Sequence, residues 1–133
     1  MRFLLIILFF LSYYYAISED NKLRALICKS SDVKSYTKYN LYIFKDRVEH
    51  YAFNQKRKQI YIHKYSGYDY KNSNNFIILG NNFFKLNKNT LELTVFNGGH
   101  IGMCEEFKSR EEVMKQMNIY LDKEQDKINK NSS

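Results

Sequence analysis

Hydrophobic and polar positions alternate in short bursts over most of this chain. Between about Lys22 and Phe107, runs of aromatic and β-branched residues are separated by clusters rich in Asn, Lys, Ser and Gly, the pattern of antiparallel strands joined by turns. Leu23, Ala25 and Ile27 alternate with Arg24, Leu26 and Cys28, which places the cysteine on the opposite strand face from Ile27. Ser30 to Lys38 reads as a polar connection. Asn40–Phe44 and Arg47–Phe53 form a predicted hairpin about Lys45-Asp46, and a second turn at Asn54–Arg57 leads into Lys58–Tyr65.

The next segment, Ser66 to Asn75, is polar and long, and is predicted to be a loop of the kind that carries function. Phe76–Leu79, Phe83–Leu86 and Leu91–Phe96 read as further strands, with turns at Gly80-Asn81-Asn82 and Asn87–Thr90. Asn97-Gly98-Gly99 is the strongest hairpin signal and returns the chain as His100–Cys104. The expected β part is an antiparallel meander or small open barrel of about seven to eight short strands.

After Phe107 the period changes. Ser109-Arg110-Glu111-Glu112 spells a capping box, and Val113, Met114, Met117, Tyr120, Leu121 and Ile128 then fall on one helical stripe. An amphipathic helix is predicted over 109–128, packed on the sheet, with 129–133 as a frayed tail. The fold class is therefore α+β, mostly β.

The N-terminus has a different grammar. Arg2 precedes the unbroken apolar run Phe3–Leu11, and Ala16-Ile17-Ser18 supplies small residues for cleavage, so 1–18 reads as a signal peptide cut near Ser18. A retained membrane anchor is the alternative, although the apolar stretch is shorter than the roughly 20 residues that span a bilayer. The mature β domain is then 19–108, and its expected location is periplasmic or extracellular.

Export changes the reading of the cysteines and the charge. Two cysteines, Cys28 and Cys104, are expected to form one disulfide in an oxidising compartment. Lys and Arg number 21 against 14 Asp and Glu, a net charge of +7, which favours anionic partners. The lysines are scattered, however, and the chain has no Pro or Trp but much Asn, Ile, Tyr and Phe, a bias that A- and T-rich codons also produce. Contact with an anionic membrane surface stays open on this basis, whereas nucleic acid is not expected to meet an exported chain.

Few residues offer catalytic chemistry. Pairing Phe53 with Lys58 would set His50 opposite Tyr61 and Val48 opposite His63, leaving His50 and His63 diagonal neighbours on one face. Two imidazoles without a third ligand make a poor metal site, so they are residual metal candidates only, and no metal or other cofactor is expected. Glu105-Glu106 and Glu111-Glu112 read as acidic pairs at a helix start. There is no Gly-rich phosphate loop with a Lys-Ser or Lys-Thr ending. The excess of tyrosine instead favours a contact surface, and the segment Tyr65, Ser66, Gly67, Tyr68, Asp69 and Tyr70 is the candidate binding loop.

The signal at Met1 to Ser18, the early Cys28, the stretch Phe84-Lys85-Leu86-Asn87-Lys88-Asn89-Thr90-Leu91-Glu92-Leu93, the closing Cys104 and the helix from Ser109 together resemble small exported β-proteins of A- and T-rich, often marine, bacteria. The resemblance implies a location and no activity. Ser66-Gly67-Tyr68-Asp69-Tyr70 is also similar to the Ser-Gly-x-x-Tyr segment of periplasmic lysozyme inhibitors of the small β-barrel kind, which likewise join an early and a late cysteine; no tryptophan follows it here. The expectation is a monomeric, non-enzymatic exported domain that binds an extracytoplasmic protein or an envelope polymer. Peripheral membrane binding, lysozyme inhibition and metal binding are the alternatives.

Overall fold

The computed structural model describes residues 25–80, 83–95 and 98–131, so the predicted signal peptide lies outside the described residues. Within them the chain forms nine antiparallel strands and one C-terminal helix. The strands are β1 (Ala25–Ser30), β2 (Tyr39–Phe44), β3 (Val48–Lys56), β4 (Gln59–Tyr68), β5 (Tyr70–Asn72), β6 (Phe76–Leu79), β7 (Phe84–Asn87), β8 (Glu92–Val95) and β9 (His100–Phe107). They make one curled sheet in the order β4-β3-β2-β1-β9-β8-β7-β6-β5.

Each half of that order is a local meander, and the halves join where β1 pairs with β9. Cys28 and Cys104 lie directly opposite each other in this pairing and form the disulfide, with Cα atoms 3.9 Å apart. The bridge therefore sits at the central seam. The outermost strands, β4 and β5, are consecutive in the chain and separated only by Asp69. A one-residue link between the two edges forces the sheet to curl until those edges meet at that corner.

Much of β1, β2 and β3 is buried on both faces, which is why their sequences carry near-continuous apolar runs. Ala25, Ile27, Leu41, Ile43, Tyr51 and Phe53 face the helix α1 (Arg110–Asn131) and pack on its Val113 and Met117. Leu26, Cys28, Tyr42 and Val48 point to the concave side and meet Ile77, Leu79, Leu86 and Leu93 of the other half. The predicted opposition of Ile27 and Cys28 is seen here. In β6, by contrast, burial alternates strictly.

Ser109 caps α1 as expected, its Oγ accepting from the Glu112 backbone N–H at 3.1 Å. The helix runs on through Asn131, past the predicted end at 128, and its buried stripe includes Glu124. Burial pushes the Glu124 carboxyl up, but hydrogen bonds from Lys127 and Lys38, both 3.2 Å away, outweigh it and hold the group below its usual range. Glu105-Glu106, expected at the helix start, lie instead in β9, where Glu105 accepts from the Tyr120 hydroxyl.

Two strand assignments differ from expectation. The predicted four-residue turn at Asn54–Arg57 is a two-residue turn at Arg57-Lys58, with Lys56 opposite Gln59 and Arg57 at φ 60°. This register sets apolar Phe53 against Ile62, so both can face the helix. The predicted loop at Ser66–Asn75 is mostly strand: β4 continues to Tyr68 and β5 follows at once, paired with β6 through Tyr70 and Leu79.

Candidate functional site

The shortened turn changes which side chains meet on the concave face. His50 lies opposite Tyr65, where Tyr61 was expected, and Ala52 lies opposite His63. On the other side of β3, His50 is opposite Tyr42. The Tyr42 and His50 rings stack with centroids 4.9 Å apart, and Tyr65 follows at 5.4 Å from His50. His63 packs edge-on to Tyr65 at 4.6 Å, and Tyr61 edge-on to His63 at 6.1 Å. A continuous row of rings thus leads from the buried Tyr42 out to Tyr65 and Tyr61, which are 38% and 40% exposed.

A bulge makes the inner end of this site. Between the pairs His50–Tyr65 and Val48–Tyr68 the register slips by one, so that Ser66-Gly67 stand opposite the single residue Glu49. Side chains alternate along a strand, so without the slip Tyr65 and Tyr68 would face opposite ways. With it, both face inward. Gly67 is required by close approach, since a Cβ there would lie 2.8 Å from the Val48 carbonyl oxygen.

Tyr68 then donates its hydroxyl to His50 Nδ1 at 3.1 Å, and His50 Nε2–H donates to Asn40 Oδ1 at 2.8 Å. Burial pulls the imidazole pKa down to about 4, so the ring is neutral at pH 7 and matches this pattern of one donor and one acceptor. Both nitrogens are occupied and the Tyr65 ring sits between His50 and His63, so the arrangement does not make the two histidines a ligand pair. Among the described residues no group of three or more His, Cys, Asp or Glu side chains converges.

These residues wall a cavity of about 140 Å³ at the open end of the curled sheet. Cys28, Asn40, Tyr42, His50 and Tyr68 line it from one half, and Phe84 and Leu93 from the other, with Lys29 and Ser30 adding polar groups. The volume suits a single six-membered ring or one side chain. A β-barrel mouth lined by rings and a few polar groups is a common place for a ligand.

The candidate segment Tyr65 to Tyr70 is divided by this geometry. Tyr65 stands on the exposed ring row, Tyr68 is in the cavity wall, and Asp69 and Tyr70 belong to the corner that joins the sheet edges. Arg47 Nε–H donates to Asp69 Oδ1 at 2.9 Å, Gly80 N–H donates to the Asp69 carbonyl at 2.8 Å, and the Tyr70 hydroxyl donates to the Lys45 carbonyl at 2.8 Å. The Ser-Gly-x-x-Tyr segment is thus a tied corner with its first tyrosine turned inward. Tyr61 and the cavity wall other than Tyr68 were not part of the expected segment; for Tyr61 the alternation with His63 and Tyr65 was the signal.

Fold and site together define a curled antiparallel domain with an aromatic shelf leading into a small cavity. Compared with known proteins, the chain matches no family model, no curated protein and no solved structure.

Proposed function

We propose that this is an exported, non-enzymatic binding domain that holds an extracytoplasmic protein or an envelope polymer at the open end of its curled sheet. The observation that carries this reading is the ring row from exposed Tyr61 and Tyr65 through His50 to Tyr42 at the cavity. Rigid rings give large contact area at low entropic cost, and they suit both sugar faces and protein side chains. The apolar leader and the Cys28–Cys104 disulfide support export.

Capture of partners from an envelope extract tests the reading. A double Tyr61→Ala, Tyr65→Ala variant is expected to lose the partners that the wild-type protein retains while still folding, because neither ring belongs to the buried core. Recovery of the same partners by both proteins would refute it.

A second reading, contact with an anionic membrane, is favoured by Lys29 and Lys34 beside the exposed Val33 and Met103. It predicts binding to anionic lipid vesicles that weakens as salt rises. Among the described residues no helix is long and apolar enough to cross a membrane.

A further inference from the structure

The outer side of β4 is an unpaired sheet edge among the described residues, and it borders the ring row. The two-residue turn makes Lys56 and Gln59 a hydrogen-bonded pair, so Gln59, Tyr61 and His63 direct their backbone groups to β3. Ile60, Ile62 and Lys64 direct theirs outward. The first of these is already filled: Ile60 N–H donates to Gln125 Oε1 at 2.9 Å, while Gln125 Nε2 donates to the Lys58 carbonyl at 2.9 Å. One side-chain amide from α1 thus does for the start of the edge what a neighbouring strand would do. Beyond it, Ile62 and Lys64 present a short ladder with no described partner.

Resting on the shelf reading above, we propose that the partner is an acidic polypeptide segment that adds to β4 as a tenth strand. An added strand would place alternate side chains beside Tyr61, His63 and Tyr65, because those rings share one face of β4. The edge and its turn carry exposed Lys56, Arg57, Lys58 and Lys64, of which only Lys64 has an ion-pair partner among the described residues, Glu49 at 3.3 Å. These charges favour an acidic segment. They also oppose pairing of two copies through this edge, since like cations would face each other. A polysaccharide lacks the regular amide spacing that the ladder reads.

The test uses a blocked nine-residue peptide of alternating Glu and Val, its twin N-methylated on the alternate amides that would face β4, and a Lys-Val peptide. The disulfide-bonded protein is expected to bind the first peptide at least tenfold more tightly than the other two. Amide exchange at Ile62 and Lys64 should slow at least tenfold on binding. Lys64→Pro, which removes an outward N–H and leaves the β3 ladder intact, should weaken binding by a similar factor. Equal binding of the N-methylated peptide, or unchanged exchange at Ile62 and Lys64, overturns the inference, and the peptide pair decides this even where the proline variant fails to fold. Envelope partners lost on Tyr61→Ala, Tyr65→Ala but kept on Lys64→Pro would leave the shelf reading standing and remove the strand-addition one.

Discussion

The two halves of the sheet solve the same packing problem differently. In β1–β3 the strands lie between α1 and the barrel interior, so consecutive residues such as Ala25, Leu26, Ile27 and Cys28 are all buried. In β5–β8 the interior face alone is covered, and the outer face is left to groups such as Lys85, whose ammonium lies 3.8 Å from the Phe76 ring centroid. The first half is a platform held from two sides and can expose rings at its edge without losing its core. The second half is a lid that completes the interior and the cavity wall.

The disulfide is the strongest way to break the partnership. Cys28→Ala, Cys104→Ala removes a tie between residues 76 positions apart, and is expected to cost about 4 kcal/mol in denaturant unfolding on the chain-entropy account. The transition should stay single, because Leu26 and Tyr42 share a core with Leu79 and Leu86. Next in size, Met117→Ala empties a fully buried position under α1 and should cost about 3 kcal/mol. Hydrogen exchange should then quicken in β1 and β2 more than in β6 and β7; Leu86→Ala should reverse that order.

The pH response is smaller and belongs to the wall of the cavity between the halves. His50 has a folded pKa near 4 against a usual 6.5, so the unfolded chain takes up a proton in this window and the folded one does not. Stability should therefore fall as pH drops from about 6.5 to 4, by on the order of 2 kcal/mol after allowance for partial exposure. His50→Gln should flatten that slope. A further loss belongs to Glu49, which Lys45 and the Tyr51 hydroxyl hold down to about 2; it should appear only as pH falls below about 4.5. The smallest effect is a gain: Arg57→Gly relieves a left-handed residue and should stabilise the platform half by about 1 kcal/mol.

Much of the platform was legible because its determinants are local. Strand alternation, the Ser109 cap and the facing of Cys28 are written in neighbouring residues. The site was less legible. Tyr70-Lys71-Asn72 has no alternation to mark it as a strand, and it becomes one only by pairing with Ile77, Ile78 and Leu79. The bulge at Ser66-Gly67 answers the Val48 carbonyl, 19 residues upstream of Gly67 in sequence and 2.8 Å from where a Cβ would stand. Glu124 was not among the residues of the expected helix stripe; its burial depends on Lys38, which lies in a distant connection.

The single residue between the outermost strands has a consequence for how the molecule is assembled in time. Apart from the β1–β9 seam, every strand pairs with its sequence neighbour, so each half can form by short loop closures. The long-range seam is left as the slow step, and oxidation at Cys28 and Cys104 then locks a pairing that two preformed pieces have found. A cut at Asp69 divides no strand and no pair of neighbouring strands, and the two fragments would stay covalently joined until reduced.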